Sequence, residues 1–82
     1  MSIQLKPIVT EKAVMMIESQ NVITFQTERQ AGKTDIKKEV ESLFSVKIES
    51  IRTQIRNGKK YAYVKLKKEF PAIDIATKLG MI

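Results

Sequence analysis

Apolar residues recur along this chain in two alternating periods. Ile3 and Leu5 alternate with Gln4 and Lys6, which predicts a short strand over residues 3–9. Pro7 has no amide hydrogen to give a ladder, so this strand belongs at a sheet edge. Thr10 is a good N-cap, Glu11 suits the positive end of a helix, and Ala13, Val14 and Ile17 give a helix over residues 11–18 its apolar face. Met15 and Met16 are expected to fill gaps against that face. Asn21 opens a second strand over residues 22–27, with Ile23 and Phe25 on one side and Val22, Thr24 and Gln26 on the other. A loop follows over residues 28–33, with a turn expected at Gly32. Ile36, Val40, Leu43 and Phe44 then form one stripe of a helix from Lys33 or Thr34 to about Ser45, leaving Lys37, Lys38, Glu39 and Glu41 in solvent.

Val46 and Ile48 begin a third strand. The odd spacing from Ile48 to Ile51 breaks the alternation, and a bulge or bend near Glu49 would restore it. Asn57-Gly58 is the dipeptide that a tight type I′ hairpin turn prefers, because both central residues take positive φ. That turn pairs Arg56 with Lys59, Gln54 with Tyr61, Thr53 with Ala62, Arg52 with Tyr63, Ile51 with Val64 and Ser50 with Lys65. One hairpin face is small and apolar. The other holds Arg52, Gln54, Arg56, Lys59, Tyr61, Tyr63, Lys65 and Lys67. Pro71 suits the first position of a last helix, whose apolar face is Ala72, Ile75, Ala76 and Leu79 and whose stop is Gly80; Met81 and Ile82 are expected to fold back on the core. The order β-α-β-α-β-β-α predicts an α+β, ferredoxin-like fold. In it a split β-α-β unit lets the fourth strand lie between the second and third, the sheet is four-stranded and mostly antiparallel, and the two later helices cover its apolar face.

Charge sharpens this picture. Arg52, Arg56, Lys59, Lys60, Lys65, Lys67 and Lys68 fall within 17 residues that contain no acidic side chain. The rest of the chain holds eight basic and nine acidic residues, so the net charge of +6 arises in the hairpin. Cations neutralise phosphates, and tyrosine rings stack on unpaired bases, so this face is a candidate nucleic-acid surface. Lys6, Lys12 and Lys33 are further candidates for phosphate, and Thr10 beside Lys12 joins them. Glu18, Glu28, Glu39 and Glu41 lie outside the hairpin and are candidates for docking a basic protein partner. Histidine and cysteine are absent from the 82 residues. That removes the commonest general base, metal ligand and nucleophile, and no enzyme, cofactor, metal, membrane span or small-molecule substrate is expected. The length fits one domain, and the beginning of the chain lacks the layout of a secretory signal, so the cytosol is the expected compartment.

Four stretches carry a family resemblance. They are Pro7-Ile8-Val9-Thr10-Glu11-Lys12; Ala31 to Lys37 followed by Val40, Glu41 and Phe44; Val46-Lys47-Ile48 with Ile51 and Thr53; and Lys60 to Leu66 followed by Ile73-Asp74-Ile75-Ala76 and Leu79-Gly80. In this order they resemble the universal large-subunit ribosomal protein of the L-twenty-three family, in its short archaeal form. The resemblance implies binding to large-subunit rRNA beside the peptide-tunnel exit. It also implies contact with a neighbouring ribosomal protein of the L-twenty-nine family, and docking of nascent-chain factors such as the signal recognition particle. Arg52 stands where the family commonly has asparagine, and Tyr61 where it has a second basic residue. The two-residue turn Asn57-Gly58 implies a hairpin too short to line the tunnel deeply. RNA recognition motifs are a poorer match, since Lys60-Tyr61-Ala62-Tyr63-Val64 lacks their glycine.

Overall fold

The computed structural model describes residues 4–80, so the expectations for Ile3, Met81 and Ile82 lie outside the described residues. The elements are β1 (Leu5–Pro7), α1 (Glu11–Gln20), β2 (Val22–Thr27), α2 (Lys33–Phe44), β3 (Ile48–Arg56), β4 (Lys59–Leu66) and α3 (Ala72–Lys78). The strands form one sheet in the order β1-β2-β4-β3, and each neighbouring pair is antiparallel. β4 therefore lies between β2 and β3, which run parallel to one another and are joined by α2. This is the expected split β-α-β arrangement, with β1 and its Pro7 at the edge.

The hairpin adopts the expected register from Ser50↔Lys65 to Arg56↔Lys59. Asn57 and Gly58 have φ of 53° and 75°, as a type I′ turn requires. The register shifts between Ile48 and Ser50, so a bulge at Glu49 restores the apolar phase. Ile23 and Phe25 of β2, with Ala62, Val64 and Leu66 of β4, floor the main core. Ile36 and Val40 of α2, Ala72, Ile75 and Ala76 of α3, and Ile17 of α1 close it from above. Ala62, Ala72 and Ala76 are wholly buried; their small side chains let helix and sheet approach closely. Phe44 stacks on Phe25 with ring centroids 6.4 Å apart.

Some local expectations are corrected. Met15 is 61% exposed and Leu43 58% exposed. Met15 is about 200° around the helix from both Ala13 and Ile17, so it turns away from the core. Leu43 shares the stripe of Ile36 but sits in the last turn, where Phe44 covers Phe25 instead. Gly32 forms no turn of positive φ; with φ −83° it is the N-cap of α2, and its N–H donates to the Asp35 carboxylate at 3.2 Å. Pro71 is the N-cap of α3 rather than its first residue. Thr10 caps α1 as expected, its hydroxyl accepting from Ala13 N–H at 3.1 Å, and Gly80 ends α3 with φ 74°.

Asn21 does more than open β2. It ends α1 in the left-handed region, φ 58°, and is the single residue between α1 and β2. Its side-chain amide donates to the carbonyls of Leu66, Lys67 and Phe70 at 3.1, 3.3 and 3.2 Å. Its Oδ1 accepts from Ala72 N–H at 2.6 Å, supplying α3 with the cap that Pro71 cannot give. Asn21→Gly keeps the backbone conformation and removes these bonds, and is expected to cost about 1–3 kcal/mol through the unpaired groups left behind. Asn21→Ala is expected to cost about 1 kcal/mol more, because alanine is strained at this φ. Urea unfolding of both variants measures this, and a glycine variant as stable as the parent would show that the side-chain network contributes nothing.

Candidate nucleic-acid interface

The strand register builds the basic face row by row. Ser50, Lys65 and Val22 stand abreast, then Arg52, Tyr63 and Thr24, then Gln54, Tyr61 and Gln26, which β1 extends with Lys6. Arg56 and Lys59 face each other beside the turn. The tyrosines are held in place. Tyr63 Oη donates to Gln54 Oε1 at 3.2 Å and accepts from an Arg56 guanidinium nitrogen at 3.3 Å. The same guanidinium lies over the Tyr61 ring, 5.5 Å from its centroid. Arg52 and Lys59 make no side-chain hydrogen bond or ion pair among the described residues, and both are exposed.

This face is a groove rather than a plane. α1 packs against β2 and α3, and Lys12, Met16 and Gln20, at i, i+4 and i+8, form one wall of a cleft of about 1040 Å³. Arg52, Gln54, Arg56, Tyr61, Tyr63 and Lys65 line the sheet side, and Thr10 stands at one end. Val22 and Thr24 line it too, so β2 is covered on both faces. Thr24 is 4% exposed, and its hydroxyl oxygen has no hydrogen-bond partner among the described residues. Sequence alone does not single out Ala13, Met16, Gln20, Val22 and Thr24 as members of this site. Ala13, Met16 and Gln20 carry no such signal because only the packing of α1 brings them to the sheet, and Val22 and Thr24 join through their rows with Lys65 and Tyr63.

Other candidates fall elsewhere. Lys60 alternates with Tyr61 and so points to the helix side, where its ammonium donates to the Ala31 carbonyl. Lys33, the first residue of α2, lines a separate hollow of about 210 Å³ against Ile48 to Ile51. Lys67 lies just past β4 and is exposed, with its backbone N–H bonded to Lys47. Lys65 pairs with Glu49 at 3.3 Å, an exposed contact that water and salt weaken. Among the acidic candidates, Glu18 and Glu28 are exposed and Glu39 is half-buried. Glu41 is committed to the fold, its carboxylate accepting from Ile48 N–H at 3.0 Å where β3 begins.

Fold and face together define a small α+β protein with a cationic, aromatic groove on one side of its sheet. The family model described as Ribosomal protein L23 matches residues 2–73. The chain is also 45% identical over 78 residues to the protein named "Large ribosomal subunit protein uL23" of Methanothermobacter thermautotrophicus, covering 94% of this chain and 91% of that relative. The chain belongs to this family of large-subunit ribosomal proteins. The two neighbouring lysines at the hairpin should separate fold from surface. Lys60→Met is expected to cost about 1–2 kcal/mol through loss of a partly buried charged hydrogen bond, whereas Lys59→Met should stay within about 0.5 kcal/mol. Denaturant titration of both variants reads the difference, and equal losses would place Lys60 in solvent.

Proposed function

We propose that the protein binds large-subunit rRNA through the groove and the basic tyrosine face, and that it does so beside the peptide-tunnel exit. The observation that carries the rRNA reading is the convergence of Arg52, Arg56, Lys59 and Lys65 with Tyr61 and Tyr63 on the sheet face that the helix-side core leaves free. Phosphates meet the cations, and bases meet rings whose positions Arg56 and Gln54 already fix. Lys6 and Lys12 extend the cationic surface toward β1 and α1. The placement at the tunnel exit, the L-twenty-nine neighbour and the docking of nascent-chain factors rest on the family resemblance. Docking of a basic partner falls to Glu18 and Glu28, which are exposed and absent from the groove lining. Glu39 and Glu41 contribute less to it, being half-buried. The two-residue turn keeps the hairpin tip short of the tunnel interior.

Arg52 and Lys59 are the cleanest probes, since neither supports another side chain. Removing one cation from a phosphate should reduce the slope of log affinity against log salt by about 0.7–0.9, so replacing both with glutamine should flatten it by about 1.5. The thermal midpoint should hardly move. The measurement is a salt titration against the rRNA fragment that the parent protein protects from nuclease. A parental slope in the double variant would make this face a solvated surface and put the RNA site elsewhere.

A further inference from the structure

We infer that the groove between α1 and the tyrosine face receives a single unpaired nucleotide extruded from the RNA; this rests on the reading that the face binds RNA. Three observations carry it. The first is shape. The cleft is partly open to solvent and of about 1040 Å³, just above the ~300–1,000 Å³ found for pockets that enclose small organic ligands. A stacked duplex presents its outer phosphates to a protein and cannot fill such a cleft with its backbone alone. An unstacked nucleotide can enter it and occupies part of it.

The second is the division between walls. Lys12 from the helix and Arg52 from the sheet put positive charge on both walls, suited to the phosphates flanking an extruded residue. Between them lie apolar and aromatic surfaces. Arg56 already covers one side of Tyr61, so Tyr63 is the ring left for a base, with its hydroxyl fixed by Gln54 and Arg56. Met16 of α1 lines the same cleft with a flexible, polarizable side chain that adapts to either a purine or a pyrimidine.

The third is Thr24. It stands in the same row as Tyr63, is almost wholly buried, lines the groove, and its hydroxyl is unpartnered among the described residues. A buried hydroxyl without a partner costs stability. The oxygen is sealed from solvent in this structure, so a base edge or a ribose 2′-hydroxyl lodged beside Tyr63 would supply the missing bond only after a side-chain shift that uncovers it.

The test uses the purified full chain and two RNA hairpins of equal stem length. One is fully paired, and the other carries a single bulged 2-aminopurine nucleotide. The bulged RNA is expected to bind about tenfold or more tightly, the usual effect of stacking one base on a ring, with an unchanged salt slope. Its fluorescence should be quenched on binding. Tyr63→Phe should keep both effects. Tyr63→Leu should remove both. Thr24→Val should reduce the preference severalfold without lowering the thermal midpoint. Equal affinity for the two RNAs, or a quench that survives Tyr63→Leu, would overturn the nucleotide pocket and leave RNA binding standing. Failure to bind either RNA at low salt would overturn both.

Discussion

The side-chain amide of Asn21 is the interaction on which the architecture depends. α1 passes into β2 through this one residue, so its left-handed backbone sets the direction in which the helix leaves the strand. The same residue fastens β2 to the end of β4, to the turn that follows it and to the first N–H of α3. Neutral hydrogen bonds are individually modest, but here each satisfies a backbone group at an element boundary, where unpaired groups are costly. The wall that α1 raises over the sheet follows from this junction. A protein that kept the strands and lost the junction would keep a basic face without its groove.

The sheet serves two chemistries because side chains alternate along a strand. In β4, Ala62 and Val64 go to the core while Tyr61, Tyr63 and Lys65 go to the groove. Charge therefore collects on a strand pinned between β2 and β3, not on a mobile loop, and the rings above it are tied to Gln54 and Arg56. Such rigidity lowers the conformational entropy that binding would otherwise cost. Lys60 shows the rule from the other side. It sits among the same run of cations, yet its parity commits it to the Ala31 carbonyl.

Much of this was readable in the chain, and the pattern of what was not has a physical basis. The hairpin register followed from Asn57-Gly58 and two alternations, all local constraints that agree. The Glu49 bulge followed from a break in phase. The position of β4 between β2 and β3 followed from a tight turn combined with a crossover helix. The groove was not readable, because its helical wall, Met16 and Gln20, joins it only through the way α1 is hung from Asn21. Counting charges placed Lys60 with the other cations, where counting parity would have removed it. Glu41 looked like a solvated carboxylate because its partner is a backbone N–H, which has no signature in sequence.

The insertion of β4 between two strands that precede it also dictates an order of events in time. Before β4 is available, β2 and β3 have no hydrogen-bonding path between them, and β2 is paired on one side alone, by the short β1. The β3–β4 hairpin closes a two-residue loop and can form within microseconds. Docking β4 onto β2 must instead close the chain from Val22 to Lys65, a far larger entropy loss before any contact repays it. During synthesis, the edge of β2 that β4 pairs with therefore waits unpaired until the hairpin has emerged. The sheet becomes continuous only with that long-range pairing, since β4 alone joins β2 to β3.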